Sequence, residues 1–530
     1  MISTVHPLAS EAAVRAMREG GNAVDAIVAA GLTLGVVDGF NSGIGGGCFL
    51  LIRRADGLVV AIDGREKAPA PATRDMFVRD GKADTRLSQT GALAIGVPGS
   101  LAAYDYAVKN YGRLPLRTHL MAAAKLAEEG FPVTRTYAQR LASAREDLSL
   151  FEDSRSIFLN KDGSALAQGA LLRQLDLAKS YRAIADRGTG WFYGGAFAAT
   201  AAQWMKANGG ILAQEDFKDY EIKLREPLRT TYRGHEIIGF PPPSSGGVHV
   251  AQILNILEHF DLKKLGPGSA DFIHLVTEAM KLAFADRAYW LGDPDFVSVP
   301  RGLVSKDYAA KLAKRINLKR ASTVPRHGTP ERSAADLFGK HTTHFSAADA
   351  DGNWAACTAT INTTFGSKAV IPGTGIVMNN QMDDFSIQPG VANAFGLLGA
   401  EANAVAPDKR PLSSMSPTIV LKDGRPVLSI GAAGGPTIIS QTLLAIVCTI
   451  DFGMPIEAAL ALPRFHHQWN PDELRIEKAV PKRVRDELAR RGHTLQVLDT
   501  MGAAQAVALG TDANLAGAPD PRGEGMADGY

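Results

Sequence analysis

A layered domain of α/β or α+β class is what this chain predicts, on three observations. Four strand pairs with tight-turn signals are spread over both halves of the sequence. Long helical blocks separate them. A length of 530 residues exceeds what one ordinary core organises, so two domains or one large layered sandwich is expected. Periodicity alone does not choose between the two classes.

The elements follow in order. Ser10 is placed to cap a helix over 11–19, which Gly20 and Gly21 end, and Asn22 to cap the next helix with Asp25 in its first turn. FLLIRRADGLVVAIDGRE (49–66) reads as two strands about Asp56 and Gly57. Residues 100–220 and 250–320 read mainly helical, as in FIHLVTEAMKLAFADRAYWL (272–291). The polar, proline-containing stretch 321–340 (ASTVPRHGTPERSAADLFGK) predicts a mobile linker. From Thr342, TTHFSAADADGNWAACTATINTTFG forms a hairpin at Asp351, Gly352 and Asn353. TIVLKDGRPVLSIG (418–431) and QAVALGTDANLAGA (505–518, about Thr511 and Asp512) repeat the form. No repeat of solenoid length occurs.

Bulk properties describe a globular protein, with 45% hydrophobic and 21% charged residues. Lys+Arg 57 against Asp+Glu 55 leaves +2, with no basic stripe for nucleic acid and no basic helix for a membrane surface. Cys48, Cys357 and Cys448 show no CxxC spacing. That removes a recognisable zinc site or disulfide framework and leaves one bridge formally possible. The longest uncharged apolar stretches, 26–37 and 442–450, fall short of the roughly 18 residues that span a bilayer. MISTVHPLAS has neither the basic start nor the apolar core of a signal peptide.

Chemistry concentrates in NNQMDDF (379–385), KRPLSSMSP (409–417) and GAAGG (431–435), where amides, hydroxyls and paired glycines crowd into a short span. Thr342 stands at the head of a strand. A threonine hydroxyl is a poor nucleophile until a base takes its proton. A threonine freed as an N-terminus carries that base itself, since an α-amino group has a pKa of about 7.7–8.0. The plain alternative is a β-branched residue filling a strand. SGIGGGCF (42–49) invites a phosphate-loop reading. It fails because the sixth position of GxGxxG is Cys48 and no GKS or GKT follows; a close-packed turn remains.

Through GGNAVDAIVAA (20–30), SGIGGGCF, TTHFS (342–346), NNQMDDFS (379–386), PRFHHQW (463–469) and the closing DPRGEGMADGY (520–530), in that order, the chain resembles the γ-glutamyltranspeptidases. These are N-terminal-nucleophile hydrolases made as one self-cutting precursor. The resemblance implies an α+β fold, a four-layer αββα sandwich of two antiparallel sheets between helical layers. It implies a cut between His341 and Thr342, giving 341- and 189-residue chains (1–341 and 342–530) from the 530, held as a heterodimer. The implied reaction cleaves the γ-glutamyl amide of glutathione and passes the γ-glutamyl group to an amino acid, a peptide or water, with no metal or organic cofactor.

The site residues follow from the same resemblance. Thr342 is the nucleophile, and Thr360, at the far end of its hairpin, supports it. Gly434 and Gly435 offer backbone N–H groups to the tetrahedral intermediate. A γ-glutamyl donor presents an α-ammonium, which calls for a carboxylate and amide oxygens: Asp384, Asn362 and Gln381. Its α-carboxylate calls for a guanidinium and hydroxyls: Arg65, Ser413 and Ser414. Read without the family, Arg65 is as readily a surface charge as a binding group, and the serines default to a cap or turn. Asp383 and Asp384 also suggest a metal pair, but no third carboxylate or histidine lies close in sequence.

Two departures stand out. Ala432 and Ala433 replace the family's usual serine-proline, and Pro436 follows the glycines. Residues 389–410 match the loop that covers the donor pocket, with Phe395 in place of a tyrosine, so no hydroxyl reaches Asn362 and looser closure is expected. Bacterial relatives are mostly exported. The expectation is periplasmic or secreted if an export signal is missing from this chain, and cytoplasmic otherwise. The rivals are an amidase acting on glutaryl-cephalosporin side chains, and a non-catalytic binding protein on the same scaffold.

Overall fold

Among the described residues, strand pairing builds two large antiparallel sheets beside three small ones. The computed structural model describes residues 1–331, 344–388, 390–510 and 512–530. In the first sheet the strands run Met526–Asp528, Ile2–Thr4, His344–Ala348, Trp354–Thr360, Gly47–Arg53, Val59–Gly64 and Lys223–Arg225. In the second they run Leu515–Pro519, Ala503–Leu509, Arg425–Ala433, Thr418–Lys422, His235–Gly239 and Leu228–Tyr232. Helices Ala23–Val37 and Ser100–Tyr111 pack on the outer face of the first sheet, and Ser245–Leu257 and Thr437–Ile450 on that of the second. The result is the four-layer α+β sandwich.

Alternation along each strand explains the layers. Cys48, Leu50 and Ile52 enter the core beneath the first helical layer, while Phe49 and Leu51 point into the layer between the sheets. With both faces covered, the strand reads as a continuous apolar run rather than an alternating one. Phe49 stacks on Phe240 across the inter-sheet layer at a centroid distance of 4.2 Å. Polar contacts also cross it, as where Ser429 Oγ donates to Ser346 Oγ at 2.9 Å.

All four sequence-predicted hairpins form, and their register places the site. Thr360 pairs with Gly47 in the ladder between the Trp354–Thr360 and Gly47–Arg53 strands. Asn22 caps the Ala23–Val37 helix as expected, in a reciprocal box with Asp25. Ser10 does not act as a cap. The first helix is Pro7–Arg18, capped by His6, because Pro7 presets a first helical turn that starts four residues earlier. Ser10 Oγ instead donates to the Met526 carbonyl at 2.7 Å. The three cysteines are buried and free, so no bridge forms. Residues 321–331 lie in neither helix nor strand, whereas 332–340 of the expected linker and Thr342 lie outside the described residues. Among the described residues no helix is long and apolar enough to cross a membrane.

Truncating Phe49 to alanine should lower stability by about 3–5 kcal/mol, as for a large aromatic removed from a closed core. The urea midpoint would register it, while Leu58→Ala, at a position 48% exposed, should shift stability by about 0.5 kcal/mol or less.

Candidate active site

The turn NNQMDDF is organised by its own amides. Asn379 Nδ2 donates to the carbonyls of Gly45 and Gly96, both at 2.8 Å, and its Oδ1 accepts from Gly96 N and Gln381 N at 3.0 Å. Asn380 Oδ1 accepts from Thr363 N at 3.1 Å, and its carbonyl accepts from Asn362 Nδ2 at 3.0 Å. Thr360 Oγ1 in turn accepts from Asn362 N at 2.7 Å. Asn362 sits at φ +79, a left-handed conformation these contacts hold in place. The SGIGGGCF glycines make this approach possible, since a Cβ on Gly46 would collide with the Thr360 carbonyl and one on Gly45 with that of Val377.

Three of the predicted donor-site residues meet directly. Arg65 Nη2 donates to Asp384 Oδ2 at 2.7 Å, and Gln381 Nε2 donates to the same oxygen at 2.7 Å. Arg65 Nη1 lies 3.1 Å from Glu66 Oε2, and Arg65 Nε donates to the Pro411 carbonyl at 3.3 Å. All four side chains are buried. Gln381 Oε1 and Glu66 Oε1 have no hydrogen-bond partner among the described residues. Burial pushes the Glu66 carboxyl up to about 7, against the opposing Arg65 guanidinium.

Ser414 joins through a residue that sequence reasoning misses. Arg287, on helix Ala270–Trp290, donates from Nε to Ser245 Oγ at 3.0 Å and from Nη2 to Ser414 Oγ at 3.4 Å. Burial lowers its pKa to about 10, with Asp384 opposing. An arginine on a largely buried helix is the available signal. The Ser413 carbonyl accepts from Ser245 N at 3.0 Å. A small cavity lined by Arg287, Asp384, Asn393 and Leu397 joins this cluster to the loop above it. The more open cleft, about 570 Å³, is lined by apolar groups such as Phe272, Leu444 and Val484 and includes none of the predicted site residues.

The glycine turn lies between the Arg425–Ala433 strand and the Thr437–Ile450 helix. Gly434 has φ +128 and Gly435 φ +58, backbone conformations that favour glycine. Neither amide donates a hydrogen bond to another described residue, and both precede a helix N-terminus, where negative charge is favoured. The Phe395 ring lies over this turn: a Cβ on Gly435 would come within 2.6 Å of Phe395 Cδ1.

The two adjacent aspartates do not form a metal pair. Asp383 Oδ1 accepts from Ser88 Oγ at 2.7 Å and Oδ2 from Ala394 N at 2.9 Å, turned away from the Arg65 contact that holds Asp384. Among the described residues His274, Glu278 and His493 bring possible metal-ligand atoms within 4.8 Å of one another. There the Lys281 ammonium lies 3.1 Å from Glu278 Oε1, and His274 Nδ1 and His493 Nε2 share a hydrogen bond of 2.7 Å. The Glu278 charge is therefore balanced by Lys281, and the two rings share one hydrogen bond.

Residues 9–530 match the family described as Gamma-glutamyltranspeptidase. The chain belongs to this family. It is 46% identical over 534 residues to the glutathione hydrolase proenzyme of Escherichia coli (strain K12), covering 100% of this chain and 92% of that protein. A cephalosporin acylase from Bacillus halodurans superposes with a TM-score of 0.89 at 30% identity, over 100% of this chain and 95% of that one. The γ-glutamyltranspeptidase of Helicobacter pylori matches at a TM-score of 0.58 and 44% identity, over 59% of this chain and 90% of that one.

In this γ-glutamyltranspeptidase family member, Glu66 makes the buried cluster sensitive to pH. Its folded pKa, about 7, lies above the ordinary glutamate value of 4.5, so between these values the unfolded chain releases its proton first. Stability from this group is therefore lost as pH rises through that window. Glu66→Gln, which keeps the shape and cannot ionise, should gain in melting temperature relative to the parent as pH goes from about 5 to about 8. A gap that stays constant across thermal melts would contradict the assignment.

Proposed function

We propose that this protein is a γ-glutamyl acyltransferase and glutathione hydrolase that works through Thr342 as an N-terminal nucleophile. One observation carries the reading. The buried carboxylate of Asp384, with Gln381 Oε1 lacking a hydrogen-bond partner beside it, faces Arg65, and an amino acid's charged head supplies the complement of all three. The donor ammonium would take Asp384 and Gln381, with Asn362 alongside. The donor carboxylate would take Arg65, Ser413 and Ser414.

The chemistry then runs as follows. Self-cleavage of the 341–342 peptide bond frees the Thr342 amine and leaves a two-fragment heterodimer. At most about 7 Å of extended chain separates Thr342 from His344, whose ring packs against Gly431, three residues before the glycine turn. The Thr342 hydroxyl attacks the γ-carbonyl of the donor while its own α-amine accepts the proton. The N–H groups of Gly434 and Gly435 stabilise the oxyanion, the proton passes to the leaving amine, and a γ-glutamyl ester remains. Water, or an amino acid or peptide amine, attacks the ester and regenerates the hydroxyl.

A second reading, an acylase for glutaryl side chains, draws on the close superposition with the cephalosporin acylase. It fits the site less well. A glutaryl group has no ammonium to replace Arg65 at Asp384, and a buried carboxylate without a partner is costly.

An intact mass spectrum after incubation at about pH 8, near the pKa of the α-amine that the cut frees, tests the mechanism. Two polypeptides are expected, the smaller beginning at Thr342, and Thr342→Ala should remain one chain. A folded parent that stays uncut would overturn the reading. Substrate choice is checked separately with Asp384→Asn. Its kcat/KM for a γ-glutamyl anilide should fall roughly ten- to a hundred-fold, as for loss of a charge-assisted hydrogen bond. A glutaryl anilide should lose less, and equal losses would count against the ammonium assignment.

A further inference from the structure

We infer that Gln468 is a positioning residue for this reaction, clasping the 390–400 loop by its backbone so that the Phe395 ring stays over Gly435. The inference rests on the proposed role of the glycine turn as the oxyanion site. Gln468 belongs to PRFHHQW, the motif to which the donor site and the nucleophile give no task. It is 4% exposed, and its side-chain amide donates to two successive carbonyls, Gly396 O at 3.0 Å and Phe395 O at 3.3 Å. Gly396, at φ +73, turns the chain where both carbonyls meet one amide.

The amide is itself oriented. Gln468 Oε1 lies 3.3 Å from His466 Nε2, and His466 Nδ1 lies 3.1 Å from Ser440 Oγ. Burial pushes His466 down to about 3, so its ring is neutral with a single N–H. A hydrogen on Nε2 is what the Gln468 Oε1 acceptor requires, and it leaves the Gln468 NH₂ facing the loop, while the Ser440 hydroxyl has both the Thr437 carbonyl at 2.9 Å and His466 Nδ1 within reach. Ser440 lies near the start of the Thr437–Ile450 helix, immediately after the glycine turn. A continuous path therefore ties the helix behind Gly434 and Gly435 to the loop in front of them.

The same loop is held from the donor site. Asp383 Oδ2 accepts from Ala394 N at 2.9 Å, and Asn393 Oδ1 accepts from Phe395 N at 3.0 Å and Leu397 N at 3.1 Å. Phenylalanine at 395 has no polar atom on its ring, so the ring's place over Gly435 follows from its apolar packing and from where its backbone is held. Gln468 supplies the hold on the carbonyl side, and the 379–385 turn supplies the hold on the amide side.

The test uses the full chain carrying Gln468→Glu, which keeps the shape but turns a carboxylate toward two carbonyls, and Gln468→Leu, which removes the donor. Both should still self-cleave. The KM for a γ-glutamyl anilide should rise several-fold, transfer to a dipeptide should fall relative to hydrolysis, and deuterium exchange across 390–400 should quicken. In a Phe395→Ala background the same substitutions should change KM by less than about two-fold, since the ring they position is gone. Cleaved variants whose KM, product ratio and exchange match the parent would overturn the inference. So would an undiminished effect in the Phe395→Ala background, or failure of both variants to fold and cleave, which would make Gln468 a structural residue. A parent with no γ-glutamyl activity would reject the proposed function and this inference together. An active parent with unchanged variants rejects the inference alone.

Discussion

The buried ion pair between Arg65 and Asp384, 2.7 Å long and closed from solvent, is the constraint the rest of the site depends on. The two residues lie 319 positions apart, and either charge left alone in the interior would cost several kcal/mol. The turn after the Val59–Gly64 strand and the turn at 379–385 must therefore meet for either to be buried. Their meeting brings Asn379 against Gly45 and Gly96 and the Glu66 carboxylate against Gly47, which is the ladder partner of Thr360. A second buried pairing braces the same corner. Asp63 accepts from Arg410 Nη1 at 2.6 Å and Arg225 Nε at 3.0 Å, while its Oδ1 also takes the Arg65 amide at 2.9 Å.

On the proposed function, that ion pair is also what the substrate replaces. A zwitterionic amino-acid head brings one charge of each sign, so it can part Arg65 from Asp384 and leave each with a new partner. The buried charge balance is unchanged by the exchange, and the desolvation already met by the protein lowers the cost of taking in a charged ligand. A donor that brings only a carboxylate satisfies Arg65 and strands Asp384. Specificity then comes more from the penalty on a stranded carboxylate than from the attraction at the guanidinium.

Much of this is legible in the residues. The hairpins are visible from turn signals between alternating runs, and the Asn22–Asp25 box from its spacing, because both are made by residues a few positions apart. Ser10 misleads as a helix cap because a proline at the first turn outweighs a good capping residue whose hydroxyl is used in a tertiary contact with Met526. NNQMDDF is recognisable as too polar for an ordinary core, yet its partners are not. Nothing near it in sequence points to Gly45, Gly96 or Arg65. Arg287 and Glu66 escape notice, one as a helix charge and the other as part of a turn, since their roles appear only once burial removes water from around them. Phe395 reads in the sequence as a cover without an anchor, and the structure shows the loop's backbone anchored instead, by Asp383 and by Gln468.

By itself the sequence determined the class of architecture, the strand pairs, the family resemblance and the residue types that a γ-glutamyl donor would require. These are carried by local periodicity, turn chemistry and motif order, which survive without knowledge of neighbours in space. The tertiary structure alone decided which charges pair, that Arg287 reaches Ser414 from a distant helix, that Gly435 lies under Phe395, and that Gln468 faces two loop carbonyls. Those contacts join residues tens to hundreds of positions apart. They are selected by the free-energy penalty for burying a polar group without a partner, a penalty that exists only after the chain has closed around it.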